Sequence, residues 1–272
     1  MADNAAWGRV MAGTEGNHMQ LFDLKDRVAI VTGGTTGIGF GISRGLAEAG
    51  AAVAMAGLDD PDAASRVAEL QAFGARSRFL AVDLKAPEAG RAVIAAVEQA
   101  FGRIDILVNN AGIVIRRPPE EYTPAEWQSV LDVNLHAAFF CAQAVYPGMS
   151  RRGSGKIINV GSLLGTLATP TTAAYAASKA AIMQLTRALA VAWAKDGITV
   201  NAVLPGWIDT PMTRSVRDQA PELTERVLAR TPAGRWGQPE DLAGVAIFLA
   251  SPASDFLVGS GIVVDGGYGS LG

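Results

Sequence analysis

One cysteine and two histidines in 272 residues leave little material for metal or disulfide chemistry. Cys141 has no partner for an internal bridge, and with His18 and His136 it makes too small and scattered a set for a zinc site. A strong charge of either sign is also missing. The 23 Lys plus Arg stand against 26 Asp plus Glu, a net charge of -3, and no basic block is available to neutralise a phosphate backbone. A nucleic-acid partner is therefore not expected. No apolar run reaches the roughly 18 to 20 residues that cross a bilayer, because charged or Gly/Pro-rich segments break each one. Residues 1 to 20 hold no continuous apolar stretch and read as a disordered leader or an expression remnant, not a signal peptide. These absences point to a soluble, cytoplasmic, metal-independent protein without a membrane partner. Its 49% apolar content is enough to fill a substantial core. The one excess is glycine: 31 residues, without the period of collagen, where an ordinary share is about 7%.

Short apolar runs alternate with helix-compatible segments along the whole chain. VAIVT at 28 to 32 suits a fully buried strand; GGTTGIG follows at once, and a helix runs from Ile38 to Ala49. Further strands are expected at 51 to 56, 78 to 82 and 104 to 108, with helices over 61 to 73 and 88 to 101 between them. Thr123 and Glu126 form a possible capping box, with Pro124 at the first helical position, for a long helix reaching toward Tyr146 and ended by Pro147-Gly148. Strands follow at 156 to 160, 199 to 203 and 262 to 264, and helices at about 175 to 195 and 239 to 250. Residues 207 to 238 carry Pro211, Pro221 and Pro232 among short helical pieces, a candidate insertion or lid on the substrate side. No linker marks a second domain, so residues 21 to 272 read as one parallel α/β domain with seven strands.

The turn Thr32-Gly33-Gly34-Thr35-Thr36-Gly37-Ile38-Gly39 sits between the first strand and the first helix. Glycines there let a dinucleotide approach the backbone, and the helix N-terminus offers amide donors to a pyrophosphate. The structural alternative is a tight turn and nothing more. At the end of the second strand, Asp59 can pair with an unmodified adenosine ribose, whereas the extra phosphate of NADP calls for a cation. Neither Thr36 nor Leu58 supplies one, and Asp60 would repel a phosphate. This favours NAD(H), with NADP left open; Asp59 and Asp60 also suit a turn that caps the next helix.

Tyr175 and Lys179 lie four apart on an expected helix, so they share a face and the ammonium can stabilise a phenolate. Ser162, just past the 156 to 160 strand, emerges at the same end of the sheet and can hydrogen-bond to a substrate oxygen. With these residues in view, the chain from about Leu24 to Gly267 resembles the short-chain dehydrogenase/reductase family. TGGTTGIG at 32 to 39, Asp83, NNAG at 109 to 112, YAASK at 175 to 179 and PGWIDT at 205 to 210 each match a family motif.

The resemblance implies a single-domain, Rossmann-like, three-layer α/β/α sandwich around a mainly parallel seven-stranded sheet. It also implies a catalytic tetrad of Asn134, Ser162, Tyr175 and Lys179. In that tetrad Tyr175 is the proton donor for carbonyl reduction and the base for alcohol oxidation, and Lys179 binds the nicotinamide ribose. Ser162 orients the reacting oxygen, and Asn134 holds a relay water. For the cofactor it implies Gly33, Thr36, Gly37, Ile38 and Gly39 at the pyrophosphate and Asp83 and Leu84 at adenine. Asn110, Ala111 and Gly112 fall beside the adenosine ribose, with Asn109 bracing the strand. Pro205, Gly206, Ile208 and Thr210 fall at the nicotinamide.

The segment from Ile113 to Pro119, with 231 to 244 and 249 to 259, is similar to sugar-acid members such as gluconate and 2-deoxygluconate dehydrogenases, and also to 3-oxoacyl reductases. Arg116 or Arg117 could pair with a substrate carboxylate, although a charge after a strand is often only solvated rim. Trp207 could cover a small substrate or merely pack the insertion. The expected activity is hydride exchange between a nicotinamide cofactor and a hydroxyl or keto group of a small sugar acid or polyol. The alternatives are a 3-oxoacyl-thioester reductase and a non-catalytic dinucleotide-binding redox sensor. Family members commonly assemble as homotetramers through helices that correspond to 123 to 146 and 175 to 195 here; a dimer remains an alternative.

Overall fold

In the computed structural model, which describes residues 18–86, 88–219 and 221–271, the apolar runs become seven strands in one sheet. They are β1 (Val28–Thr32), β2 (Ala52–Gly57), β3 (Ser77–Ala81), β4 (Ile106–Asn109), β5 (Gly155–Val160), β6 (Ile198–Pro205) and β7 (Gly261–Val264). Their order is β3-β2-β1-β4-β5-β6-β7, and every neighbouring pair is parallel. Of the leader expected over residues 1 to 20, residues 1–17 lie outside the described residues, and His18–Phe22 form a 3-10 turn.

The helices are α1 (Gly37–Glu48), α2 (Ala63–Ala72), α3 (Ala89–Phe101), α4 (Pro124–Leu131), α5 (Ala137–Arg152), α6 (Ala173–Trp193), α7 (Pro211–Gln219), α8 (Pro221–Arg230) and α9 (Ala243–Ala250). Alternate strand residues face opposite ways, so each strand serves two cores. Val28 and Ile30 of β1 join a cluster with Val93 and Val97 of α3, Met149 of α5 and Leu189 of α6. Ala29 and Val31 join a second with Ile42 and Leu46 of α1, Leu70 of α2 and Leu249 of α9. The result is the three-layer α/β/α sandwich.

Two local features depart from the expected pattern. Thr123 does cap α4: its Oγ1 accepts from the Glu126 amide at 3.2 Å, and Glu126 Oε2 accepts from the Thr123 amide at 3.0 Å. A π-turn, Asp132–His136, then joins α4 to α5. The helix does not stop at Pro147-Gly148 but continues to Arg152. Pro147 removes one amide, yet Val145, Gly148 and Met149 are buried on either side of it, and Gly153 ends the helix in the left-handed conformation (φ 64°). Packing outweighs the missing hydrogen bond.

A parallel sheet puts all strand C-termini at one edge. On the two sides of β1 the chain crosses over in opposite directions, to β2 and to β4, which opens a crevice there. Among the described residues, no helix is long and apolar enough to cross a membrane.

Candidate active site

Three connected cavities lie along that edge. One of about 490 Å³ is bounded by the end of β2 and by Asp59, Asp83 and Leu84. It shares Gly33, Thr36, Ala111 and Gly112 with a central cavity of about 210 Å³, into which Lys179 and Tyr175 also open. That one shares Ser162, Tyr175, Pro205 and Gly206 with a third of about 280 Å³. The groove is thus continuous from the end of β2 to the insertion.

The glycine turn forms its floor. Gly33 has φ 62°, a conformation other residues adopt only with strain. At Gly39 a side chain would collide with the Gly33 carbonyl and the Asn110 amide, so α1 packs directly under the turn. Asn110 Nδ2 donates to the carbonyls of Thr32 (2.9 Å) and Gly33 (3.1 Å), and Thr32 Oγ1 accepts from the amides of Asn110 and Ala111, each at 3.0 Å. Asn110 therefore holds the turn through its side chain. Thr36 makes no side-chain cap on α1, and Gly37, Ile38 and Gly39 of the first turn line the central cavity. A helix N-terminus presented in this way fits the pyrophosphate of a dinucleotide. Ile208 and Thr210 line the same cavity. Asn109 braces the sheet, donating to Asn159 Oδ1 at 2.9 Å and to the Ala138 carbonyl at 3.2 Å.

Ser162 precedes a 3-10 turn after β5, and its Oγ accepts from the Leu164 amide at 3.1 Å. Tyr175 lies in the first turn of α6, hydrogen-bonded to the Ser162 side chain. Burial pushes its hydroxyl pKa up, while that hydrogen bond and the charge of Arg116 pull it back. Lys179, one turn on and 4% exposed, donates from Nζ to the Val160 carbonyl at 2.7 Å and lies 5.7 Å from the Tyr175 ring centre. Burial lowers its pKa to about 8. Asn134 sits behind the cavity in the π-turn: Nδ2 donates to the Ile113 carbonyl and to Ser178 Oγ, both at 3.0 Å, and Oδ1 accepts from the Ile113 amide at 2.8 Å. Both amide hydrogens of Asn134 are engaged. A Cβ on Gly112 would stand 3.4 Å from Asn134 Oδ1 and 3.6 Å from Lys179 Nζ, so glycine keeps this corner open.

The two neighbouring arginines part company. Arg116 lines the third cavity with part of its side chain still exposed, and desolvation there lowers its pKa. Arg117 does not line it; its Nε donates to Glu126 Oε1 at 2.6 Å and its amide to the Thr171 carbonyl at 2.9 Å. Trp207 lines the cavity, edge-on to Trp236 and Tyr268. Sequence reasoning passed over Met212, Leu223, Arg226 and Tyr268, which also line it. Three of them stand in the 207 to 238 segment, whose proline-rich irregularity was the available signal. Asp209 pins α7 through Arg214 (2.8 Å) and Arg217 (3.3 Å), which hold its carboxyl below the usual range.

Residues 33–269 match a family model described as enoyl-(acyl carrier protein) reductase. The gluconate 5-dehydrogenase of Gluconobacter oxydans is 41% identical over 252 residues, 92% of this chain and 98% of that protein. The 2-dehydro-3-deoxy-D-gluconate 5-dehydrogenase of Bacillus subtilis is 43% identical over 248 residues, 91% and 96% of the respective chains. The solved gluconate 5-dehydrogenase of Burkholderia cenocepacia, in complex with NADP and tartrate, matches with a TM-score of 0.88 at 42% identity, covering 93% of this chain and 99% of that one. NADP is bound in three further similar structures. This overturns the expected preference for NAD(H). The lack of a cation at Thr36 and Leu58 and the carboxylates of Asp59 and Asp60 would exclude a phosphate only from a dry ribose rim. Leu58 is 67% exposed and Asp59 also faces solvent, so water screens the Asp59 carboxylate and a phosphate there stays hydrated. With the motifs, the sheet order and these relatives in agreement, the chain belongs to the short-chain dehydrogenase/reductase family.

Proposed function

We propose that the protein is a nicotinamide-dependent oxidoreductase interconverting a hydroxyl and a keto group on a small sugar acid, of the kind named for its gluconate and 2-dehydro-3-deoxygluconate relatives. The NADP held by similar structures supports NADP(H) as coenzyme. The observation that carries the reading is the shared wall: Ser162 and Tyr175 belong both to the dinucleotide groove and to the cavity beside it, with Lys179 beneath them.

When bound, the nicotinamide supplies or accepts the hydride. Tyr175 gives its hydroxyl proton to the carbonyl oxygen in reduction and removes the alcohol proton in oxidation. Ser162, already bonded to Tyr175, orients that oxygen. The Lys179 cation lowers the cost of the tyrosinate. Oxidation should therefore speed up, and reduction slow down, as pH rises through the range in which Tyr175 ionises. Asn134 holds the Gly112–Ile113 corner against α6; with its amide hydrogens engaged, a relay water would have to donate to one of its oxygens. Asp59, Asp83 and Leu84 take the adenosine end, Gly33, Thr36 and the first turn of α1 the pyrophosphate, and Pro205, Gly206, Ile208 and Thr210 the nicotinamide side. Arg116 and Trp207 face the substrate, and the 207 to 238 insertion covers it. A cytoplasmic homotetramer is the form we propose for it.

A 3-oxoacyl thioester is the second reading, favoured by the apolar wall of Leu163, Leu164, Leu167 and Leu223. Steady-state assays with NADPH and NADH against 5-ketogluconate, 2-dehydro-3-deoxygluconate and a 3-oxoacyl thioester separate the two. In the same assays Tyr175→Phe should lower kcat by about 10²- to 10⁴-fold with coenzyme affinity retained. A variant that keeps its turnover would remove Tyr175 from the proton step.

A further inference from the structure

Among the described residues, the wall of the substrate cavity carries two guanidiniums, Arg116 and Arg226, and no carboxylate. Among the described residues, no hydrogen bond or ion pair engages either of them, whereas neighbouring arginines have partners. Arg117 is on Glu126, Arg217 on Asp209, Arg235 on Asp241, and Arg230 lies over the Tyr268 ring. Arg116 and Arg226 are both exposed to solvent at the cavity wall, and two unpaired guanidiniums facing one cavity fit an anionic ligand.

Their positions are not equivalent. Arg116 follows β4, and its charge reaches the Tyr175 hydroxyl and favours its ionised form. Arg226 comes from α8 and shares its part of the wall with Leu223 of that helix. In a hexonic acid reacting at carbon 5, the carboxylate carbon is four bonds from the reacting carbon, about 5 Å along an extended chain. A cation that grips the carboxylate must therefore be set away from Tyr175. Arg116 is the arginine whose charge reaches Tyr175, and Arg226 is not among the charges that do.

We infer that Arg226 is a specificity-determining residue, the anchor for the substrate carboxylate at the end remote from the reacting carbon. Arg116 then serves the reacting end. The inference rests on the sugar-acid reading above, and it makes α8 the element that distinguishes an acid from a neutral polyol of the same length.

The test compares wild type, Arg226→Ala and Arg226→Lys, each saturated with coenzyme. Calorimetric binding of gluconate and of its uncharged analogue glucitol is measured, together with KM and kcat for the acid. The Ala variant should bind gluconate about 10- to 100-fold more weakly and show a matching rise in KM, the cost of losing a charge-assisted pair. Its kcat should change far less, its glucitol affinity should stay at the wild-type level, and Lys should restore part of the loss. Unaltered coenzyme affinity serves as the folding control. Equal gluconate binding by wild type and Arg226→Ala overturns the inference while turnover of the acid leaves the proposed reaction standing. Binding that is lost in the variant without any turnover by wild type supports the anchor and overturns the reaction. If wild type neither binds nor turns over gluconate, both fall.

Discussion

Lys179 is held where its charge is costly to keep. It is almost fully buried, it donates to the Val160 carbonyl, and desolvation brings its pKa from 10.5 to about 8. Between those values the unfolded chain binds more protons at this site than the folded one. The penalty is therefore complete below pH 8 and is relieved as pH rises toward 10.5. Comparing the coenzyme-free wild type with Lys179→Met cancels most other titrations. From pH 7 to 10 the difference in unfolding free energy should move in favour of wild type by about 2 kcal/mol, read by urea denaturation at each pH. A difference that stays flat with pH would mean the ammonium is not desolvated. The same variant should lose turnover, since the tyrosinate loses its cation. At this scale the motif residues were legible because local spacing brings them together: Tyr175 and Lys179 are one helical turn apart, and Ser162 ends a strand. The choice between Arg116 and Arg117 was not. Successive residues of an extended segment point opposite ways, and only the fold shows that Val114 and Arg116 face the cavity while Arg117 reaches Glu126. Arg226 carries no motif at all, and its place depends on how α8 lies over the sheet edge.

Elements were legible where hydrophobic period and punctuation agreed, as in the strand, glycine turn and helix over residues 28 to 48. Reading failed at Pro147, where punctuation and packing disagree. Pro147 is exposed, but the buried Val145 and Met149 commit this stretch to the α3 and β5 side of the sheet, and α5 runs on to Gly153. An interior proline leaves one carbonyl in the preceding turn without its amide and crowds that turn. Pro147→Ala should therefore stabilise the protein by about 1–2 kcal/mol, the helical gain being partly offset by a more flexible unfolded chain. Urea unfolding at neutral pH measures this. A destabilised variant would mean that the bend at Pro147 is required. The π-turn at Asp132–His136 was equally illegible: its amide register is set by Asn134 reaching both Ile113 and Ser178, contacts 21 and 44 residues away.

For the whole molecule, the surface carries more apolar groups than one chain can cover, and they fall in two places. Phe256 is 91% exposed and Val191 82%, with Val258 and Val263 also open. They gather where β7 leaves the sheet edge unpaired and where the Gly259 turn meets Ala190 of α6. Trp127 and Phe140 form a second exposed set, on α4 and α5. One self-complementary patch closes a dimer; two independent patches on different axes close a tetramer of dihedral symmetry. The near-neutral charge of -3 offers little repulsion against either contact. If both patches are used, a charge in one of them should stop assembly halfway. Phe256→Glu should convert a tetramer to a dimer by light scattering at micromolar concentration, with the Ser162–Tyr175–Lys179 site still binding coenzyme. A mass equal to wild type would exclude the β7 edge from the assembly. A wild type that is itself monomeric would leave these apolar groups in water and overturn the tetramer.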